Sequence, residues 1–410
     1  MAISPQEAIH RRNLGALLRY VHLRGAASRA ELTAGLGLNR STIGALAARL
    51  AEAGLVREET PPSGGRAGRP SLMVRPDPTN FHAYALSVEV DRLRAARIGL
   101  GGEILDIRTA ELAPGADCAA ALDRLAALVD LLRPGTPAGG TAIGVGVALA
   151  GETRGADGTI RFRPAGAWTS ETVSAALGLD RPCRVGNLAD LAARAEHARG
   201  SARGLDDVVY LHGDAGISAG IITSGLAGTG RGIGGQVGHM VVNPAGRACR
   251  CGSRGCWETE IGEPAVGDRA GVLALVAAAR AGEPAARDAV RRTGEWLGHG
   301  VANLVNILNP EAVVFGGTLR EIYRAAAGHV RGRLLDMALP AFRERLRLSV
   351  PVLGDDAALV GAAELAFEQL LNDPLNTPPL NDPLNAPPLA DPQNAPPLTG
   401  PLNAPRATTP

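Results

Sequence analysis

The stretch GGQVGHMVVNPAGRACRCGSRGCWETE, residues 234–260, decides how the rest of the chain is read. It places His239 ten residues ahead of a Cys-x-Cys-x4-Cys hook formed by Cys249, Cys251 and Cys256. Three thiolates and one imidazole suit tetrahedral Zn2+, and four protein ligands leave no open position for a reactive water. Gly252 and Gly255 permit the tight turns that bring the sulfurs together. The competing reading is an extracellular disulfide loop. The cysteines number five, which is odd, and the opening MAISPQEAIHRRN lacks the apolar segment of a secretion signal. A structural zinc site in a cytoplasmic protein is therefore expected.

The same stretch closely resembles the zinc signature of the ROK family of repressors, uncharacterised reading frames and sugar kinases. The resemblance extends over roughly residues 10–370. It implies an α/β chain: an N-terminal winged helix-turn-helix followed by a two-lobed, actin-like (ribonuclease H-like) sugar-kinase fold with a cleft between the lobes.

Composition is compatible with that plan. The 410 residues exceed one typical core, so two or three domains are expected. Hydrophobic residues make up 45% but aromatics only 3%, so the cores must be built from Ala, Leu and Val. All 42 basic residues are arginine, for which a GC-rich genome is a sufficient cause. The net charge of +1 hides an asymmetry, because residues 1–80 hold eleven Arg against six Asp plus Glu. That excess points to an anionic partner, double-stranded DNA. No apolar run reaches the ~18 residues a membrane helix needs.

Residues 9–56 read as three helices. Ser28-Arg29-Ala30-Glu31 fits a capping box, Gly35-Leu36-Gly37-Leu38 breaks the helix, and Asn39 caps the next. Ile43, Leu46, Ala47 and Leu50 form one buried stripe. That leaves Arg40, Ser41, Thr42, Ala45 and Arg49 as candidates to meet DNA in a helix-turn-helix. PPSGGRAGRPSLMVRP (61–76) then reads as a winged hairpin, with Arg66 and Arg69 spaced to enter a minor groove. The alternative for that segment is a flexible linker.

The expected division is a winged helix-turn-helix over 1–76, a linker over 77–82, lobe 1 over 83–204 and lobe 2 over 205–370. From 371 the chain repeats LNDPLNTPP, LNDPLNAPP, LADPQNAPP, LTGPLNAP with a period of nine. So much proline with so little apolar surface predicts a disordered tail over 371–410, either an inert expansion or a docking segment.

The resemblance also tests for catalysis. Family kinases carry Asp-x-Gly-Gly-Thr in the first phosphate turn, where this chain reads Ser87-Val88-Glu89-Val90-Asp91. The catalytic aspartate aligns with Leu188, and the second phosphate motif reads Asp214-Ala215-Gly216 in place of Gly-Thr-Gly. Ala165 replaces a family asparagine, whereas Asn187, Gln236, His239 and Glu258 keep polar groups where the family contacts sugar hydroxyls. The expectation is a homodimeric transcriptional regulator, a repressor, that senses a sugar or sugar derivative without phosphorylating it. A working ATP-dependent sugar kinase and a ligand-independent DNA-binding protein with a relic pocket are the alternatives.

Overall fold

The computed structural model describes residues 4–60, 71–113, 116–133, 140–154, 159–161, 167–214, 216–228 and 235–380. The chain divides into two compact units. Unit 1 holds residues 1–148, 164–185 and 362–410; unit 2 holds 149–163 and 186–361.

Unit 1 opens with helix α1 (Pro5–Arg24), capped by the Ser4 hydroxyl and started by Pro5 at its first position. Strand β1 (Ala27–Ser28) leads into α2 (Arg29–Leu36), and the capping box between Ser28 and Glu31 is formed in both directions. Gly37 ends α2 at φ 65°, a left-handed conformation that favours glycine. Asn39 then accepts from the Thr42 amide to start α3 (Arg40–Glu52). Ile43, Leu46, Ala47 and Leu50 are buried with Leu17, Leu18, Val21 and Leu32 of the two preceding helices. Strands β2 (Val56–Glu59) and β3 (Met73–Pro76) pair antiparallel, and β1 joins the far edge of β3. Three helices, the last two joined by a short turn, are thus followed in the chain by a small sheet. Residues 61–70, which include Arg66 and Arg69, lie outside the described residues.

Residues 77–80 form a bonded knot. The buried Asp77 carboxylate accepts from Arg57, from the amide and hydroxyl of Thr79, and from Asn80, which also donates to the Gly54 carbonyl. Burial alone would raise the Asp77 carboxyl, but the hydrogen bonds from Arg57 and Thr79 outweigh it and hold it below the usual range.

The body of unit 1 is a five-stranded sheet ordered β11-β7-β4-β5-β6. Its strands are β4 (Phe81–Val88), β5 (Arg92–Gly99), β6 (Ile104–Glu111), β7 (Thr141–Leu149) and β11 (Arg184–Asn187). Between them in this unit come α4 (Cys118–Leu131), the short β10 (Ala167–Trp168) and α5 (Ser170–Ala176), while the short β8 (Glu152–Arg154) and β9 (Thr159–Arg161) fall in unit 2.

Unit 2 begins with α6 (Leu188–Arg199) and repeats the plan with β12 (Val208–Gly213), β13 (Ile217–Thr223), β14 (Leu226–Gly228), β15 (Ala312–Gly317) and β16 (Arg347–Ser349). Their order is β14-β13-β12-β15-β16. In both sheets a three-strand meander is extended at its first strand by the fourth and then the fifth. The helices α7 (Trp257–Ile261), α8 (Glu263–Val266), α9 (Arg269–Ala281), α10 (Pro284–Leu308), α11 (Thr318–Met337) and α12 (Pro340–Arg343) complete the unit. Its core joins Trp257, Leu297, Val301, Phe315 and Leu319.

The last helix, α13 (Ala357–Asn372), ends against β7, where Gly146 is needed. A Cβ at Gly146 would lie 1.9 Å from the Ala362 carbonyl oxygen. Packing continues through the first repeat to the opening residue of the second, since Leu380 is buried and its amide donates to Ala142. Residues 381–410 lie outside the described residues.

Candidate metal centre and ligand-binding residues

Segment 235–239 runs flush along β13. A Cβ at Gly235 or Gly238 would fall 1.9 Å from the Ala219 oxygen or 2.4 Å from the Ile217 oxygen. A single helical turn over Val237–His239 then presents the imidazole. The cysteine hook turns at Gly252 (φ 95°) and Gly255 (φ 71°). At Gly255 a side chain is excluded outright, because a Cβ would sit 1.5 Å from the Asn243 oxygen. The hook is anchored from behind. Trp257 is fully buried, donates to the Trp296 carbonyl and packs on Gly300 of α10.

These constraints bring His239, Cys249, Cys251 and Cys256 together, with one donor atom from each inside a 4.8 Å circle. The Cys251 and Cys256 sulfurs are 3.6 Å apart, and the Cys249 sulfur is 3.7 Å from His239 Nδ1. A tetrahedron with Zn–S of about 2.3 Å has S–S edges of about 3.8 Å, so the donor set fits Zn2+. Burial pushes the Cys249 thiol up to about 12 and raises Cys256, whereas hydrogen bonding, chiefly from the Ser253 backbone, lowers Cys251. When bound, a divalent ion would replace the thiol protons and crosslink the loop. Cys118 and Cys183 do not join the cluster.

Glu258 is buried beside this cluster, its Oε1 accepting from the Cys249 sulfur at 3.2 Å. The same oxygen lies 3.7 Å from His239 Nδ1 and 3.6 Å from Arg250 Nε. Glycine at 216 keeps this corner open, because a Cβ there would meet both the Glu258 carboxylate and the Arg250 guanidinium at about 3 Å. Arg250 is not among the site residues expected from the sequence. Its only sequence signal is its place between two ligands. Gln236 precedes His239 in the same turn, and its carbonyl accepts the His239 amide.

Asn187 caps α6. Its Oδ1 accepts the amides of Ala189 and Asp190 as the cap of α6, and its Nδ2 donates to the Gly151 carbonyl. Leu188 is buried, and burial pushes the Asp190 carboxyl up to about 6. Ala165 and Ala215 lie outside the described residues.

In unit 1, the turn between β4 and β5 is closed by the Glu89 amide donating to the Arg92 carbonyl. The Glu89 carboxylate is 3% exposed and accepts from Arg92 Nε at 2.7 Å and from the Ser87 hydroxyl at 3.3 Å. The turn therefore contains its own paired anion. In α3, Arg40, Ser41, Ala45 and Arg49 are exposed on the face opposite the buried stripe, and Thr42 is half-buried. Arg49 pairs with Glu52, and the Ser41 hydroxyl donates to Asn39.

Two sheets of like strand order and a glycine-shaped His/Cys3 loop define an actin-like, sugar-kinase-like body, preceded in the chain by three helices and a small sheet. The chain belongs to the ROK family, whose model matches residues 84–369. Among its relatives is the xylose repressor of Bacillus subtilis, 25% identical over 387 residues, spanning 91% of this chain and 99% of the repressor. A glucokinase of Streptomyces coelicolor is 30% identical over 280 residues, spanning 61% of this chain and 86% of the kinase. The crystal structure of a ROK family transcriptional regulator, a homologue of the E. coli MLC protein, superposes over 89% of this chain and 97% of its own. Its TM-score is 0.70 at 24% identity, a likeness of fold.

Proposed function

We propose that this chain is a sequence-specific DNA-binding transcriptional repressor whose kinase-like body senses a sugar or sugar derivative. The observation that carries the reading is the pairing of an exposed α3 face with a phosphate turn that Glu89 and Arg92 have filled. A polyphosphate needs bare amides there, and a buried carboxylate repels it. Leu188 holds no proton acceptor where a kinase needs its base. The match to a repressor over nearly its whole length supports the same reading.

Arginine contacts to phosphates supply affinity, and Arg40, Ser41, Thr42, Ala45 and Arg49 supply base reading in the major groove. Arg66 and Arg69 act from the wing. Two copies present two recognition helices to a near-palindrome. Asn187, Gln236, His239 and Glu258 form the ligand side of the sensor, and Asn187 also caps α6. One Zn2+ on His239, Cys249, Cys251 and Cys256 fixes the loop that carries three of those residues. A ligand shifts operator affinity only to the extent that it binds the two states differently.

Selection of an operator from random duplexes, followed by anisotropy titration with and without monosaccharides, tests the reading. Xylose and glucose come first, because relatives are named for them. Operator affinity should fall steeply with salt. ADP formation with any sugar in the panel would support the kinase alternative.

A further inference from the structure

The end of α13 and the first unit of the C-terminal repeat are bound to α1 along one helical face. Arg11 pairs with Asp373 at 3.0 Å, and Arg19 donates to Asn372 at 2.9 Å. Between them Gly15 lies against the Leu371 carbonyl, where a Cβ would come within 2.5 Å. One turn beyond, the fully buried His22 meets Glu364 at 3.0 Å and the edge of Phe367. Positions 11, 15, 19 and 22 share one stripe of α1, as 364, 367 and 371 share one of α13.

The His22 geometry is directional. Nδ1 accepts the Gly101 amide at 2.9 Å, so the proton sits on Nε2 and is donated to Glu364. The repeat unit is held at its far end as well. Thr377 and Asn376 fold back on Asp373, Arg181 donates to the Pro378 carbonyl, and Leu380 bonds to β7. α1 in turn packs on α3.

We infer that residues 364–380 form a clasp that fixes the pitch of α1, and through it the presentation of α3, so that operator affinity depends on the repeat's first unit. The inference rests on the DNA-binding reading above. It gives part of the proline-rich repeat a structural role, since the first LNDPLNTPPL is a bound segment of the fold.

The test uses the full-length, zinc-loaded chain and the selected operator, with melting temperature and zinc content recorded for each variant. Asp373→Arg separates the clasp from simple charge. Added positive charge near DNA tightens binding by field alone, whereas a broken clasp weakens it. We expect Asp373→Arg and Arg11→Glu each to weaken binding, and the swapped double variant to recover it at unchanged net charge. Glu364→Leu removes the carboxylate that accepts from His22 Nε2–H and should cost on the order of tenfold in operator affinity. If Glu364→Leu does not fold, the Arg11 and Asp373 set decides alone. Tighter binding by Asp373→Arg, or no recovery in the swap, overturns the clasp. Failure of the unmodified chain to bind any selected duplex overturns the DNA-binding reading itself, and the clasp's role with it.

Discussion

The metal loop of unit 2 and the β4–β5 turn of unit 1 depart from their surroundings in opposite ways. In the loop, glycines at 235, 238 and 255 let the backbone crowd in and Gly252 turns at positive φ, so four donor atoms converge on one point. In the turn, the glycines of the kinase pattern are absent, and Glu89 is neutralised by Arg92 three residues on. One region is shaped for a partner it must bind. The other has internalised its partner. A site can therefore be abolished without disorder: a self-satisfying pair keeps the local fold and fills the space a ligand would take.

The contrast breaks most visibly at Cys256. Cys256→Ala should take zinc from one per chain to near zero by plasma mass spectrometry. The melting temperature should fall too, since a metal held a thousandfold above its dissociation constant stabilises by about 4 kcal/mol. Stoichiometric zinc in that variant would remove the loop from its role. Next in size, Arg92→Leu should cost roughly 2–3 kcal/mol in urea unfolding, because it removes the cation paired with a buried carboxylate, while Arg92 itself keeps some water. Joint replacement of Glu89 and Arg92 by leucine should be close to neutral. Equal losses for the single and double variants would show that the turn is not self-satisfied.

A smaller effect tests a third polar centre. The Asp77 carboxyl is held below its ordinary value, so its stabilisation is complete above the unfolded carboxylate range near pH 4. It disappears as pH falls through the lower, folded value. Amide protection relative to the intrinsic exchange rate over 54–60 and 71–80 should therefore fall below about pH 4, and Asp77→Asn should flatten that dependence. Smallest of all, Leu188→Asp should produce no ADP above background with any sugar, because the turn at Glu89 stays filled. Turnover in that single variant would mean the phosphate cradle is intact.

Local chemistry makes much of this legible. Ser28 and Glu31, Asn39 and the stripe Ile43–Leu46–Ala47–Leu50 specify their helices within one or two turns of chain. The metal donors are equally readable, because three lie within eight residues. Long-range partners leave no such trace. His22 and Glu364 are 342 residues apart, and nothing around either residue encodes the other. Asn187 is legible only in part for a different reason: its amide can serve as a sugar contact or a helix cap, and the cap it forms on α6 is visible only once α6 is placed. Composition predicts disorder from 371 because the repeat cannot build a core. Its first unit does not have to build one, since Asp373, and Leu380 just past that unit, use surfaces that unit 1 already provides.

The knot at Asp77 bears on how such proteins exchange parts. Arg57, Thr79 and Asn80 close on one carboxylate, and Asn80 reaches back to Gly54, so the last turn of α3, the small sheet and the start of β4 share one circuit. A recombination crossover anywhere in 77–80 would cut that circuit and pair a foreign residue with Arg57. Operator-reading modules should therefore travel between family members as cassettes that end beyond Asn80. A cassette that brings its own α1 must also find, on the recipient's last helix, a glutamate for His22.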